Sequence, residues 1–138
     1  MLTHPLALPG LSDGGAHVGT ICDANFPTFL MTHWARDRQK GRIPLEKIIK
    51  MQAHDTARFI GLRDRGTIAK GQRADINVID FDNLKLEHPV MQKDLPAGGQ
   101  RLMQYAKGYV ATMVAGQTIA EGGRLTGAYP GQLVRAGS

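Results

Sequence analysis

Leu11-Ser12-Asp13-Gly14-Gly15-Ala16-His17-Val18 follows a short apolar run, Pro5 to Leu11, that reads as a strand. An acid, two glycines and an imidazole then cluster where that strand opens into a loop. In barrel enzymes the carboxyl ends of the strands carry the chemistry. An Asp leaving a strand there, beside glycines that let backbone approach a ligand, is a candidate metal ligand or proton carrier. The competing reading of Asp13 is an acid that caps the Ser12-Asp13-Gly14 turn. Gly14 and Gly15 read either as a substrate-facing backbone or as a plain loop turn. His17 lines a pocket or holds the loop by a backbone hydrogen bond. Cys22, Asp23 and His17 invite a metal trio, but their spacing matches no standard zinc pattern, and Cys22 reads as a buried free thiol.

Working outward, Phe26 to about Gln39 has helical spacing at Phe26, Phe29, Leu30, His33 and Trp34, and Gly41 ends it. A second helix begins at Pro44, with Leu45, Ile48, Ile49, Gln52 and Ala53 on one face. A third, short helix is expected from Asp55 to Ile60, with Asp55 as its cap and Gly61 as its stop. At Gly66 the character changes. Gly66-Thr67-Ile68-Ala69 reads as a short strand, Lys70-Gly71-Gln72 as a turn, and Ala74 to Phe81 as a strand with Ile79 and Phe81 on one face. Asp82 to Gly108 reads as a long loop, unusual inside a compact domain. Tyr109–Ala115 and Thr118–Glu121 read as a hairpin across Gly116-Gln117, with a type II′ turn. The Gly-rich tail from Gly122 to Ser138 is expected to wrap a surface.

Bulk properties narrow the function classes. The 138 residues can bury a core but are too few for a complete (β/α)₈ barrel, which takes about 250. A 42% hydrophobic and 21% charged composition suits a soluble globular protein, and a cytoplasmic location is the default. No apolar run is long enough for a membrane span, so no membrane partner is expected. The +5 charge is dispersed, its densest part, Arg36 to Arg42, reading as a solvated helix end. Aromatics make up 6% and do not alternate with basic residues, which argues against nucleic acid. The single cysteine excludes an intrachain disulfide. Asp75 and Asp80 read as turn or edge acids, and His33 and Trp34 as packing residues.

Three stretches together resemble the C-terminal end of a metal-dependent amidohydrolase of the D-aminoacylase (N-acyl-D-amino-acid deacylase) branch. They are Ser12-Asp13-Gly14-Gly15-Ala16-His17, then Asp55-Thr56-Ala57-Arg58-Phe59-Ile60-Gly61-Leu62, then Arg65 to Asp80 with its Gly-Thr-Ile, Lys-Gly and Ala-Asp-x-x-Val pattern. The closing Pro130-Gly131-Gln132-Leu133-Val134-Arg135 is similar to that branch's C-terminus. The resemblance implies a mixed α/β piece of a larger fold. Residues 1–63 would be the last strand and outer helices of a (β/α)₈ barrel, and 64–138 the C-terminal share of a small β-sandwich. It implies a zinc-type site in which the metal lowers the pKa of a bound water toward about 7. Asp13 would touch the metal, take the water's proton and pass it to the leaving amine. Gly14, Gly15 and His17 would contact an N-acylated D-amino acid, cleaved at its linear amide bond.

This chain departs from the family pattern in its histidines. His4, His17, His33, His54 and His88 include no His-x-His pair, and no bridging ligand is assignable, so Asp13 is the one family ligand present. A non-catalytic oligomerising or interaction module is the competing reading. Helical faces that barrel neighbours would normally cover (Phe26/Phe29/Leu30 and Leu45/Ile48/Ile49), if left bare, predict a homo-oligomer, a dimer or higher, with strand exchange as one route to it.

Overall fold

The computed structural model describes residues 2–10, 19 and 23–135. Two helices pack beside a small antiparallel β-structure. Helix α1 spans 26–37: an α-helical start, Phe26–Phe29, runs into the wider π-helical turns of Leu30–Asp37. Pro27 sits in its first turn, where a missing N–H costs no helical bond. Beyond α1 the chain reverses, and the Ile43 N–H donates to the Trp34 carbonyl at 2.9 Å. Helix α2 spans 45–59 through Leu45–Lys50, Met51–Asp55 and Thr56–Phe59. The two helices expected on either side of Asp55 are therefore one. Asp55 has helical φ and ψ and caps nothing, its carboxylate being taken by the Lys50 and His54 side chains instead. The stop at Gly61 is as expected. Gly61 N–H donates to the Arg58 carbonyl and Leu62 N–H to that of Ala57, the paired bonds of a Schellman end.

The β-structure comprises β1 (Ile76–Ile79), β2 (Lys85–Leu86), β3 (Val90–Gln92), β4 (Arg101–Met103), β5 (Ala106–Lys107), β6 (Tyr109–Val114), β7 (Gln117–Glu121) and β8 (Arg124–Leu125). The main sheet has the order β1-β6-β7-β8, all antiparallel. The segment expected as a long loop, Asp82 to Gly108, is instead mostly a ribbon. β2 pairs with β5 and β3 with β4, and a short turn at Pro96–Gly98 closes its tip. Its prolines and charged residues suggested a loop, yet they occupy the tip and the exposed positions of a two-stranded arm, which needs no apolar run.

The β6–β7 hairpin is present, but its turn sits one residue earlier than expected. Val114 pairs with Gln117, so Ala115 and Gly116 form the loop, with φ of 51° and 79°. Two successive positive φ values define a type I′ turn, whose twist matches the strands. Asp75 makes Ala115 tolerable there by accepting its N–H at 2.9 Å, while the Gly116 N–H donates to the Ala74 carbonyl. Within the tail, Arg124–Leu125 adds a fourth strand instead of wrapping a surface.

Two expected strands do not form. Residues 5–10 are turn and coil, with Pro5 and Pro9 each lacking a ladder donor. Residues 66–69 lack a ladder partner among the described residues, and Ile68 stands open to solvent. A segment becomes a strand only when a neighbour accepts its backbone bonds, and neither segment has such a neighbour among the described residues.

The core draws on both parts of the chain. Leu30, Met31, Ile43 and Ile48 come from the helices and their connection, and Leu84 comes from the turn after β1. Leu84 and Ile48 are fully buried, each contributing about 1.5–3 kcal/mol. Ile79, Phe81 and Tyr109 pack against this cluster from the β side, as does Trp34 from α1. The helical faces expected to be bare are thus largely covered, Phe29 and Ile49 remaining exposed. Gly108 permits the close approach. Its φ is +99°, and a Cβ there would lie 2.7 Å from the Leu84 Cα and 3.0 Å from the Asp80 carbonyl oxygen. Gly108→Ala should therefore lower stability by at least about 2 kcal/mol in urea unfolding, combining strain with overpacking.

Candidate functional site

Asp13, Gly14, Gly15 and His17 lie outside the described residues, as does Cys22. The chain leading toward them is placed. His4 Nδ1 accepts the Leu6 N–H at 3.2 Å, and Pro9 reaches the wall of a cleft of about 710 Å³. This cleft runs between the two helices on one side and the 66–77 segment on the other. Phe26, Met31, Ile49 and Ile76 make it mainly apolar, and Gln52, Thr56, Arg73 and Asn77 add polar groups. Gly66 lets the 66–77 segment lie against α2, since a Cβ there would meet the Ala53 carbonyl oxygen at 2.7 Å. On the same wall the Gln72 Oε1 is buried and accepts no hydrogen bond.

Asp64, Asp75, Asp80 and Asp94 are engaged in structural bonds. Asp75 accepts Arg73 Nε at 2.9 Å, Arg65 at 3.3 Å and the Ala115 N–H, tying the turn before β1 to the hairpin loop. Asp80 accepts both the backbone and the side-chain amide of Asn83, a local turn that holds its carboxyl below the usual range. The sequence reading of these two as turn acids agrees with this geometry. Arg65 grips Asp64 through two bonds of 2.9 Å, and Arg101 grips Asp94 in the same way at the ribbon tip.

The histidines are dispersed. His33 stacks on Phe29 with ring centres 4.9 Å apart and meets Trp34 edge-on, the packing role expected of both residues. His54 Nδ1 lies 2.8 Å from Asp55. Among the described residues no three His, Cys, Asp or Glu side chains converge on one point. A zinc centre needs three or four such donors. The described donor set does not fit one, and any such centre requires ligands outside it.

Arg36 is the residue that the sequence reading misjudged. Expected at a solvated helix end, it turns inward, and its guanidinium donates to the carbonyls of Phe81 (2.5 Å), Asp82 (3.2 Å) and Leu84 (2.8 Å). It also lies 5.6 Å from the centre of the Phe81 ring. No periodicity signals such a contact, because the acceptors are backbone atoms 45 to 48 residues away. Its neighbours are also engaged: Arg38 covers Trp34 at 4.1 Å, and Arg42 donates back to the Arg38 carbonyl.

Comparison with known proteins identifies the class. The model of the amidohydrolase family Amidohydro_3 matches residues 1–120, and the chain belongs to that family. It is 50% identical over 42 residues to a dihydroorotase of Methanothermobacter thermautotrophicus, a match covering 30% of this chain and 10% of that protein. It is 28% identical over 97 residues to an allantoinase of Rubrobacter xylanophilus, covering 67% of this chain and 21% of the relative. The chain thus spans between a tenth and about a fifth of the length of the curated relatives it matches. No solved structure matches it. Among the described residues no helix is long and apolar enough to cross a membrane.

The ion pairs set the acid response. The Arg36 guanidinium lowers the Asp37 carboxyl, the Lys50 ammonium and then His54 lower that of Asp55, and Arg101 lowers that of Asp94. A lowered carboxylate stabilises the fold above its unfolded pKa of about 3.9, and that contribution fades as pH falls through the lower folded value. The melting temperature should hold steady from neutrality to about pH 5 and fall below about pH 4. Asp55→Asn and Asp94→Asn should each flatten that acid limb in a scan of melting temperature against pH. These pairs face solvent, so the slope should be shallow.

Proposed function

We propose that this chain carries the acid–base carboxylate of a metal-dependent amide hydrolase, and that Asp13 is that group. The family match across residues 1–120, which includes the Ser12-Asp13-Gly14-Gly15-Ala16-His17 motif, is the observation that supports the reading most. In this proposal residues 1–63 belong to a barrel layer and 64–138 to a sandwich layer. Asp13, itself outside the described residues, is the one family zinc ligand assignable in this sequence. Asp13 takes a proton from the attacking water and returns it to the departing nitrogen, a role that suits a carboxylate ionised at neutral pH. Gly14 and Gly15 give the substrate access to backbone, and His17 faces it.

The proposed substrate is a linear N-acyl-D-amino acid, on the strength of the motifs quoted above. A second reading is a cyclic amide, which the names of the dihydroorotase and allantoinase relatives favour. Both follow from one attack on an amide carbonyl and differ in whether the leaving amine stays tethered.

The test uses the purified chain in zinc-containing buffer, assayed against N-acetyl-D-amino acids and against dihydroorotate and allantoin. Turnover should fall by about 10²-fold or more in Asp13→Asn, whose circular dichroism should match the parent. Preference between the substrates separates the linear from the cyclic reading. Absence of zinc uptake and of turnover by the unaltered chain would overturn the proposal and leave the non-catalytic module.

A further inference from the structure

The cleft between the two helices and the 66–77 segment has the size of a small-molecule site. Its volume of about 710 Å³ falls within the range of about 300–1,000 Å³ that ligand pockets occupy. Phe26, Met31, Ile49, Ile76 and Ile79 give it apolar walls, and Ile68 stands 84% exposed on its lining.

The polar side chains of that lining divide unequally into donors and acceptors. Asp75 is the one acid lining the cleft among the described residues, and its acceptor sites are filled. It takes Arg73 Nε at both oxygens (2.9 and 3.0 Å), Arg65 at 3.3 Å and the Ala115 N–H at 2.9 Å. Arg73 makes these bonds through Nε alone, so the terminal nitrogens of its guanidinium have no partner among the described residues. Asn77 accepts the Thr112 hydroxyl at 2.8 Å through Oδ1, which leaves its amide N–H groups unbonded among the described residues. Gln52 gives one amide hydrogen to the Pro27 carbonyl at 3.2 Å and keeps a second. Open acceptors are fewer, because the Gln72 Oε1 is buried within the wall. Arg65 and Arg73 both face Asp75, so no excess negative charge surrounds it.

We propose that this cleft binds an aliphatic monocarboxylate. The chain lies between the helices and β1, and the carboxylate meets the donors of the 73–77 edge. Two observations select that chemistry. The apolar walls ask for a hydrocarbon body, whose burial drives entry. The unused donors, one of them cationic, ask for an anionic acceptor head, the partner with which a guanidinium forms its strongest hydrogen bonds. A neutral head leaves the Arg73 charge unmatched, and a cationic head meets it with repulsion.

This inference does not depend on the amide-hydrolase reading, and its test needs neither zinc nor turnover. The full chain is titrated calorimetrically with decanoate, decanol, decylamine and hexanoate, each below its micellar concentration. Decanoate should bind saturably at one site per chain, with decanol and decylamine at least tenfold weaker. Each methylene carried into the cleft should tighten binding about fourfold, so hexanoate should also be weaker by at least tenfold. Ile68→Asp and Asn77→Asp should each weaken decanoate by at least tenfold. Both positions are exposed, so circular dichroism and melting should match the parent. Binding that depends on head, chain length and both positions supports the site. Absence of saturable decanoate binding, equal affinity for decanol, or indifference to either substitution would overturn it.

Discussion

One guanidinium holds the two parts of this molecule in register. Arg36 projects from the last turn of α1 and donates to three carbonyl oxygens in the turn after β1, those of Phe81, Asp82 and Leu84. A hydrogen bond from a charged donor contributes about 1.5–3 kcal/mol, and few other contacts cross between the helices and the sheet with comparable strength. The grip also explains why Leu84 can be wholly buried. Its side chain enters a core built mainly from the helices, while its carbonyl is satisfied by the helix it packs against. Other bonds reinforce the same seam. The Thr28 and Tyr109 hydroxyls meet at 2.8 Å, and the side chains of Asn25 and Gln104 are hydrogen-bonded.

Much of the local structure was legible because its causes are local. The span of α1 follows from apolar spacing and a first-turn proline, the end of α2 from Gly61, and the β6–β7 hairpin from alternation around a glycine. The failures share a different cause. Residues 66–69 and 5–10 have strand-like composition, yet strand formation depends on a neighbour that the sequence window does not contain. The ribbon between β2 and β5 is the converse: charged and proline-bearing residues pair because their register across the arm allows it. The hairpin turn slipped by one residue because Asp75, forty positions upstream, makes a positive φ acceptable at Ala115.

The chemistry divides along the same line. Asp75 and Asp80 were readable as turn or edge acids because the resemblance puts the family's site in the barrel, and both do accept turn hydrogen bonds. Membership of the amidohydrolase family follows from the match over residues 1–120. The described residues supply a cleft that Pro9 reaches and an open edge of the main sheet at β1. They do not gather the donors of a metal centre.

The central claim is that Arg36 makes the helices and the sheet one cooperative unit. Trp34, the single tryptophan, reports on α1, and amide exchange at Tyr109–Val114 reports on the sheet. In a urea titration of the unaltered chain the two probes should share one midpoint, and in Arg36→Ala they should separate, with the helical probe changing first. Separate midpoints in the unaltered chain, or a single unshifted transition in Arg36→Ala, would contradict the account.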